Sequence, residues 1–118
     1  MKNRKPLVWI GSSKKDLLEL PREVQRTIGH SLNLAQIGQD DPDAKPLKGF
    51  TGTGVREIVK NDSDCTFRGV YTVKFKDAIY VLHVFKKKSK SGIKTPKIEV
   101  DLIKDRLKAA KQIHDERH

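Results

Sequence analysis

Between Lys86 and Lys97 the chain carries six basic residues and no acid: Lys86, Lys87, Lys88, Lys90, Lys94 and Lys97. A run of this kind, beginning where an apolar segment ends, can hold phosphate groups by charge. Extended backbone alternates its side chains, so Lys86 and Lys88 point to one side and Lys87 to the other. The competing reading is a solvated lysine run that keeps a sheet edge soluble. Arg68 sits inside an expected strand, flanked by Phe67 and Val70, and Arg56, Glu57 and Lys60 lie on the strand before it. If the chain turns tightly at Lys76-Asp77, Arg68 comes level with Phe85–Lys87, and all these groups gather at one end of a sheet. That constellation suits phosphodiester chemistry. Cations bind the backbone and offset charge developing on the scissile phosphate. Glu57, or a lysine whose pKa is depressed by neighbouring cations, can take the proton of a 2′-hydroxyl. Arg56, Glu57 and Lys60 also suit a plain cross-strand ion-pair set.

Other reactive side chains suggest less. His114 and His118 have helical metal-ligand spacing, but the acids between them do not follow the metalloprotease order. His83, inside an apolar strand, reads as a hydrogen-bonded core histidine. The segment Lys48–Gly54 is glycine-rich, yet it leads into a strand and lacks the GKS/GKT ending of a phosphate-binding loop. Cys65 reads as an incidental thiol. Trp9, Tyr71 and Tyr80 read as core aromatics.

These groups need a scaffold, and the periodicities supply one. Leu7–Ile10 is a short run of β-formers ended by Gly11-Ser12-Ser13. Ser13–Leu20 makes one or two helical turns. Pro21 opens a second helix to Ile37, in which Val24, Ile28, Leu32 and Ala35 form one apolar stripe. Gln39–Gly54 is a loop, with an extended piece expected at Leu47–Phe50. Strands follow at Val55–Lys60, Thr66–Phe75 and Ala78–Phe85, joined by the polar turn Asn61–Asp64 and by Lys76-Asp77. Ala78–Phe85 is apolar on both parities except at His83, as in a central strand covered on two faces. A last helix runs from Lys97 to about His114. The order β-α-α-β-β-β-α predicts an α+β fold, a mainly antiparallel sheet with helices on one face.

At 118 residues the chain suits a single domain, residues 1–118. Lys and Arg number 25 against 15 acids, a net charge of +10. That charge points to a polyanionic partner. No apolar run approaches the roughly 20 residues of a membrane span, and Leu7–Ile10 is too short for a secretory signal. A lone cysteine excludes an internal disulfide framework. A cytoplasmic setting is the expectation.

Four stretches resemble a known family: the opening Trp9-Ile10-Gly11-Ser12-Ser13-Lys14-Lys15-Asp16-Leu17, KPLKGFTGTGVREIVKND from Lys45, TFRGVYTVKF from Thr66, and YVLHVFKKKSKSGIKTPKIEVDLIKDRLK from Tyr80. Together, over roughly Val8 to Ala110, the chain resembles the phage-related, HigB-like branch of the RelE/ParE toxin superfamily. The resemblance implies a small RelE-like fold and the toxin of a type II toxin–antitoxin module. Many such proteins cleave mRNA in the ribosomal decoding site without a metal or other cofactor. The implied partners are mRNA, the ribosome and a helix-turn-helix antitoxin, with no membrane. The family's strand arginine falls on Arg68, its lysines on Lys86, Lys87 and Lys88, and its second-strand catalytic position on Arg56 or Glu57. Lys60, Lys90 and Lys94 would add RNA contacts. Some relatives use a C-terminal tyrosine that stacks on the substrate base; after Phe85 this chain has only His114 and His118 as rings. Other members of the superfamily poison DNA gyrase and cut no RNA, and a non-toxic basic RNA-binding module is a further alternative.

Overall fold

A computed structural model describes residues 4–88 and 95–117. The elements are β1 (Leu7–Trp9), α1 (Ser13–Leu18), α2 (Arg22–Gln36), β2 (Lys45–Pro46), β3 (Val55–Asn61), β4 (Thr66–Thr72), β5 (Ile79–Lys87) and α3 (Lys97–Arg117). They build an α+β fold around one five-stranded sheet of order β1-β5-β4-β3-β2. β1 runs parallel to β5, and the other pairs are antiparallel. The expected meander is therefore the centre of the sheet. β2 is an added edge, and it lies at Lys45–Pro46 rather than at Leu47–Phe50.

The helices cover both faces, not one. Ile79 and Val81 of β5 join α1 and α2 in one core, through Leu17, Val24, Ile28 and Leu32. Tyr80 and Leu82 join Ile103 and Ala110 of α3 in a second core on the other face. The cause is legible in β5 itself. A strand apolar on both parities needs cover on both sides, and α1 and α2 can shield only one. At Gly69 of β4 the first layer comes very close: a Cβ there would stand 2.9 Å from the Ile28 side chain. The absent side chain lets α2 settle on the sheet.

The β4–β5 connection spans residues 73–78 rather than closing at Lys76-Asp77. Arg68 is nonetheless opposite Phe85, as a tight turn would place it. Near the turn the register slips. Val70 pairs with His83 but Tyr71 with Val81, leaving Leu82 as a bulge. The extra residue sends both Leu82 and His83 to the α3 face.

Candidate functional site

β4 lies between β3 and β5, with Arg68 opposite Val59 on one side and Phe85 on the other. Its guanidinium reaches diagonally to Glu57, Nη1 to Oε1, at 3.0 Å. The other Glu57 oxygen, Oε2, accepts from the Thr95 hydroxyl at 2.8 Å. Side-chain exposure is 3% for Arg68 and 13% for Glu57. This is a buried ion pair, clamped from a second side by Thr95, two residues before α3. Both Glu57 oxygens hold one donor each. A carboxylate has about four lone-pair positions, so Glu57 retains acceptor capacity.

Strand alternation divides the remaining candidates between the two faces. Arg56 and Lys60 point to the α2 side. Arg56 Nη1 lies 3.4 Å from Asp40, and Lys60 Nζ lies 3.4 Å from Glu23. The second-strand residue that shares Arg68's face is therefore Glu57, not Arg56. On β5, Lys86 is exposed opposite Phe67, on the α2 side. Lys87 is half-buried opposite Thr66, on the side of Arg68 and Glu57. Lys88 is exposed just past the strand end. Lys90 and Lys94 lie outside the described residues.

A polar network missed in the sequence secures α3 against this face. His83 Nε2 lies 3.0 Å from Glu99 Oε1, and the His83 ring stacks on Phe85 with centroids 4.7 Å apart. Arg106 donates to the Leu82 carbonyl at 3.0 Å and contacts His83 Nδ1 at 3.3 Å. Guanidinium only donates, so Nδ1 accepts and Nε2 carries the proton that faces Glu99. Arg106 also donates to Ser12 Oγ at 3.2 Å, and its guanidinium lies against Gly11, where a Cβ would stand 2.9 Å from it. His83 is thus a hydrogen-bonded core histidine, as its sequence context indicated. Glu99 and Arg106 had a usable signal: both fall on the helix face of Ile103 and Ala110.

The weaker candidates stay apart from this site. Tyr71 and Tyr80 are core residues, and Cys65 is a buried free thiol. Tyr71 hydrogen-bonds Ser31 at 2.9 Å, and burial raises its pKa above the ordinary 10.0. The His114 ring packs on Phe75 at 4.6 Å, and no metal-binding cluster occurs among the described residues. A shallow groove of about 390 Å³ separates the Gly49–Thr53 loop from Leu107 and Lys108 of α3, and none of its lining residues belongs to the Arg68–Glu57 set.

A comparison with protein families matches residues 15–108 to the phage-derived Gp49-like proteins (DUF891). The chain belongs to this family. Gp49-like proteins are a toxin-like, phage-derived family within the RelE/HigB-like toxins in the broad sense. A toxin–antitoxin context, with an antitoxin as partner in general, goes with that membership. No curated protein matches the chain. Among the described residues, no helix of this Gp49-like chain is long and apolar enough to cross a membrane.

Proposed function

We propose that this Gp49-like protein is the toxin of a type II module, a metal-independent endoribonuclease that cuts mRNA on the ribosome and is neutralised by a helix-turn-helix antitoxin. One observation carries the reading: Glu57, held by Arg68 and Thr95, shares a sheet face with Lys87 at the end of β5 where the basic run begins. Lys86, Lys87 and Lys88 hold the RNA backbone. Glu57 accepts the proton of the 2′-hydroxyl as the 2′-oxygen bonds to phosphorus. The bond from phosphorus to the 5′-oxygen breaks, and the leaving oxygen takes a proton from Lys87 or water. The products are a 2′,3′-cyclic phosphate and a 5′-hydroxyl. Arg68, behind Glu57, orients the carboxylate and opposes the negative charge that develops on the phosphate.

The test is induction in growing cells, with mRNA 5′ ends mapped and supercoiling assayed in parallel. The wild type should generate new 5′ ends in translated messages. Lys87→Ala, at a half-exposed position, should fold normally and cleave about 10²-fold less or weaker still. Growth arrest with intact messages and inhibited supercoiling would replace this reading with gyrase poisoning. Unaffected growth would leave a basic RNA-binding module.

A further inference from the structure

Two donors hold the Glu57 carboxylate, and they come from different layers. Arg68 is a strand neighbour, set by register. Thr95 lies two residues before α3, and its hydroxyl reaches Oε2 at 2.8 Å. Its place in the sequence makes it a stiff donor. The residue before a proline is confined to extended backbone, and β-branching restricts χ1. Pro96 is bound into the start of α3, because its carbonyl accepts from the backbone N–H groups of Glu99 and Val100, each at 3.0 Å.

The far end of this turn is tied down as well. Glu57, Val70 and His83 form one transverse row across β3, β4 and β5. Thr95 bonds one end of that row at Glu57. Glu99 bonds the other end at His83, with Oε1 3.0 Å from Nε2. Val70, between them, is fully buried. Two strand spacings separate the ends of the row by about 10 Å. Arg106 fastens the same helix to the Leu82 carbonyl at 3.0 Å. The start of α3 is therefore a strut across the row, fixed on β3 and on β5.

We propose that Thr95 is a positioning residue for the Glu57 carboxylate, and that the Glu99 contact on His83 acts on that carboxylate through it. This rests on the reading of Glu57 as the general base. Arg68 Nη1 holds Oε1, and the terminal torsion of a glutamate is broad, so that contact alone lets the carboxylate pivot. A second donor on Oε2 fixes its plane, and with it the direction of the remaining lone pairs. A base held in line speeds proton transfer and adds nothing to RNA affinity. Glu99 works at a distance: it keeps Pro96 and Thr95 in place from the opposite end of the strut.

The test is single-turnover cleavage of ribosome-bound message by the full chain, over a range of ribosome concentrations. Thr95→Val keeps the shape and removes the hydroxyl. It should lower the maximal rate about tenfold and keep the half-saturating concentration near that of wild type. Thr95→Ser restores the donor and should recover most of the rate. Glu99→Ala should slow the wild type and add little to Thr95→Val, because the two act through one contact. Circular dichroism confirms that each variant is folded, and Thr95→Ala replaces Thr95→Val if valine disturbs the strut. A raised half-saturating concentration with an unchanged maximal rate would overturn the proposal in favour of an RNA contact. Equally slow Thr95→Val and Thr95→Ser would overturn it by making the hydroxyl irrelevant. Additive losses would overturn the link from Glu99. The carboxyl-carbon NMR resonance of Glu57, assigned by its loss in Glu57→Gln, reads the same contact without cleavage. It should move in Thr95→Val and return in Thr95→Ser. A wild type that cuts no message removes the proposed activity, whereas a resonance unmoved by Thr95→Val removes the positioning.

Discussion

Glu57 and Arg68 are ionic residues inside a sheet, and their energetics are those of a buried pair. Removing two charges from water is costly, and their attraction repays this only when geometry is good and the remaining polar positions are filled. Thr95 fills one of them. Arg68→Ala leaves the Glu57 carboxylate buried with one hydroxyl donor. It should lower the stability by about 3–5 kcal/mol, whereas Glu57→Leu/Arg68→Met should fall within about 1 kcal/mol of wild type or exceed it. Urea midpoints of both variants decide this. A near-wild-type Arg68→Ala midpoint would show that the pair is solvated. Loss of toxicity in Arg68→Ala therefore mixes folding with chemistry, and Lys87→Ala is the cleaner probe of function. Tyr71 gives a pH dependence. Its phenol has a pKa raised above 10.0 by burial, with the Ser31 hydrogen bond acting in the opposite direction. The native state therefore keeps a proton that the unfolded chain releases, and stability falls as pH rises through 10.0 and beyond. Urea midpoints between about pH 9 and 11 should decline in wild type and decline less in Tyr71→Phe. Equal declines would assign the alkaline loss to other groups.

Among the elements, legibility in the sequence followed how local each cause was. The stripe of Val24, Ile28, Leu32 and Ala35 has helical spacing, and α2 forms there. The alternation of Thr66–Phe75 and the double apolar parity of β5 are likewise local, and both strands occur, the first ending at Thr72. The opposition of Arg68 and Phe85 also followed from the short connection, although that connection is longer than a two-residue turn. β2 lies away from the expected Leu47–Phe50 because Lys45 and Pro46 carry no strand pattern; they pair with Glu57 and Arg56 by proximity to β3. The bulge at Leu82 has no sequence signature either, yet it turns His83 toward α3. Arg106 closes that junction by joining α3 to the Leu82 carbonyl, His83 and Ser12. Each of those partners is distant in sequence, so no window around Arg106 contains its reason.

At the scale of the whole molecule, one sheet serves two cores. β5 places Ile79 and Val81 against α1 and α2, and Tyr80 and Leu82 against α3. Neither helical layer can detach without exposing the strand that also supports the other. Ile28→Ala and Ile103→Ala remove fully buried side chains from the two different cores. Each should cost about 2–5 kcal/mol. Both should shift one shared urea transition without changing its slope. Two resolved transitions in either variant would mean that the layers fold independently. The charge is organised on the same plan. Lys87 ends β5 on the Glu57 face, and Arg22 and Arg26 line α2 beyond the other face.

By itself the sequence determined the fold class, the antiparallel meander, the position of the basic run and the level of Arg68, because each depends on short-range periodicity or on charge that composition preserves. Membership in a toxin-like family rests on the sequence as well. Only the tertiary structure decided which groups meet. It paired Arg68 with Glu57 rather than Arg56, placed α3 on the second face, and brought Thr95 to Glu57 across 38 residues of chain. A sheet residue's neighbours are set by register and by whatever layer covers its face, and those contacts form between segments far apart in sequence.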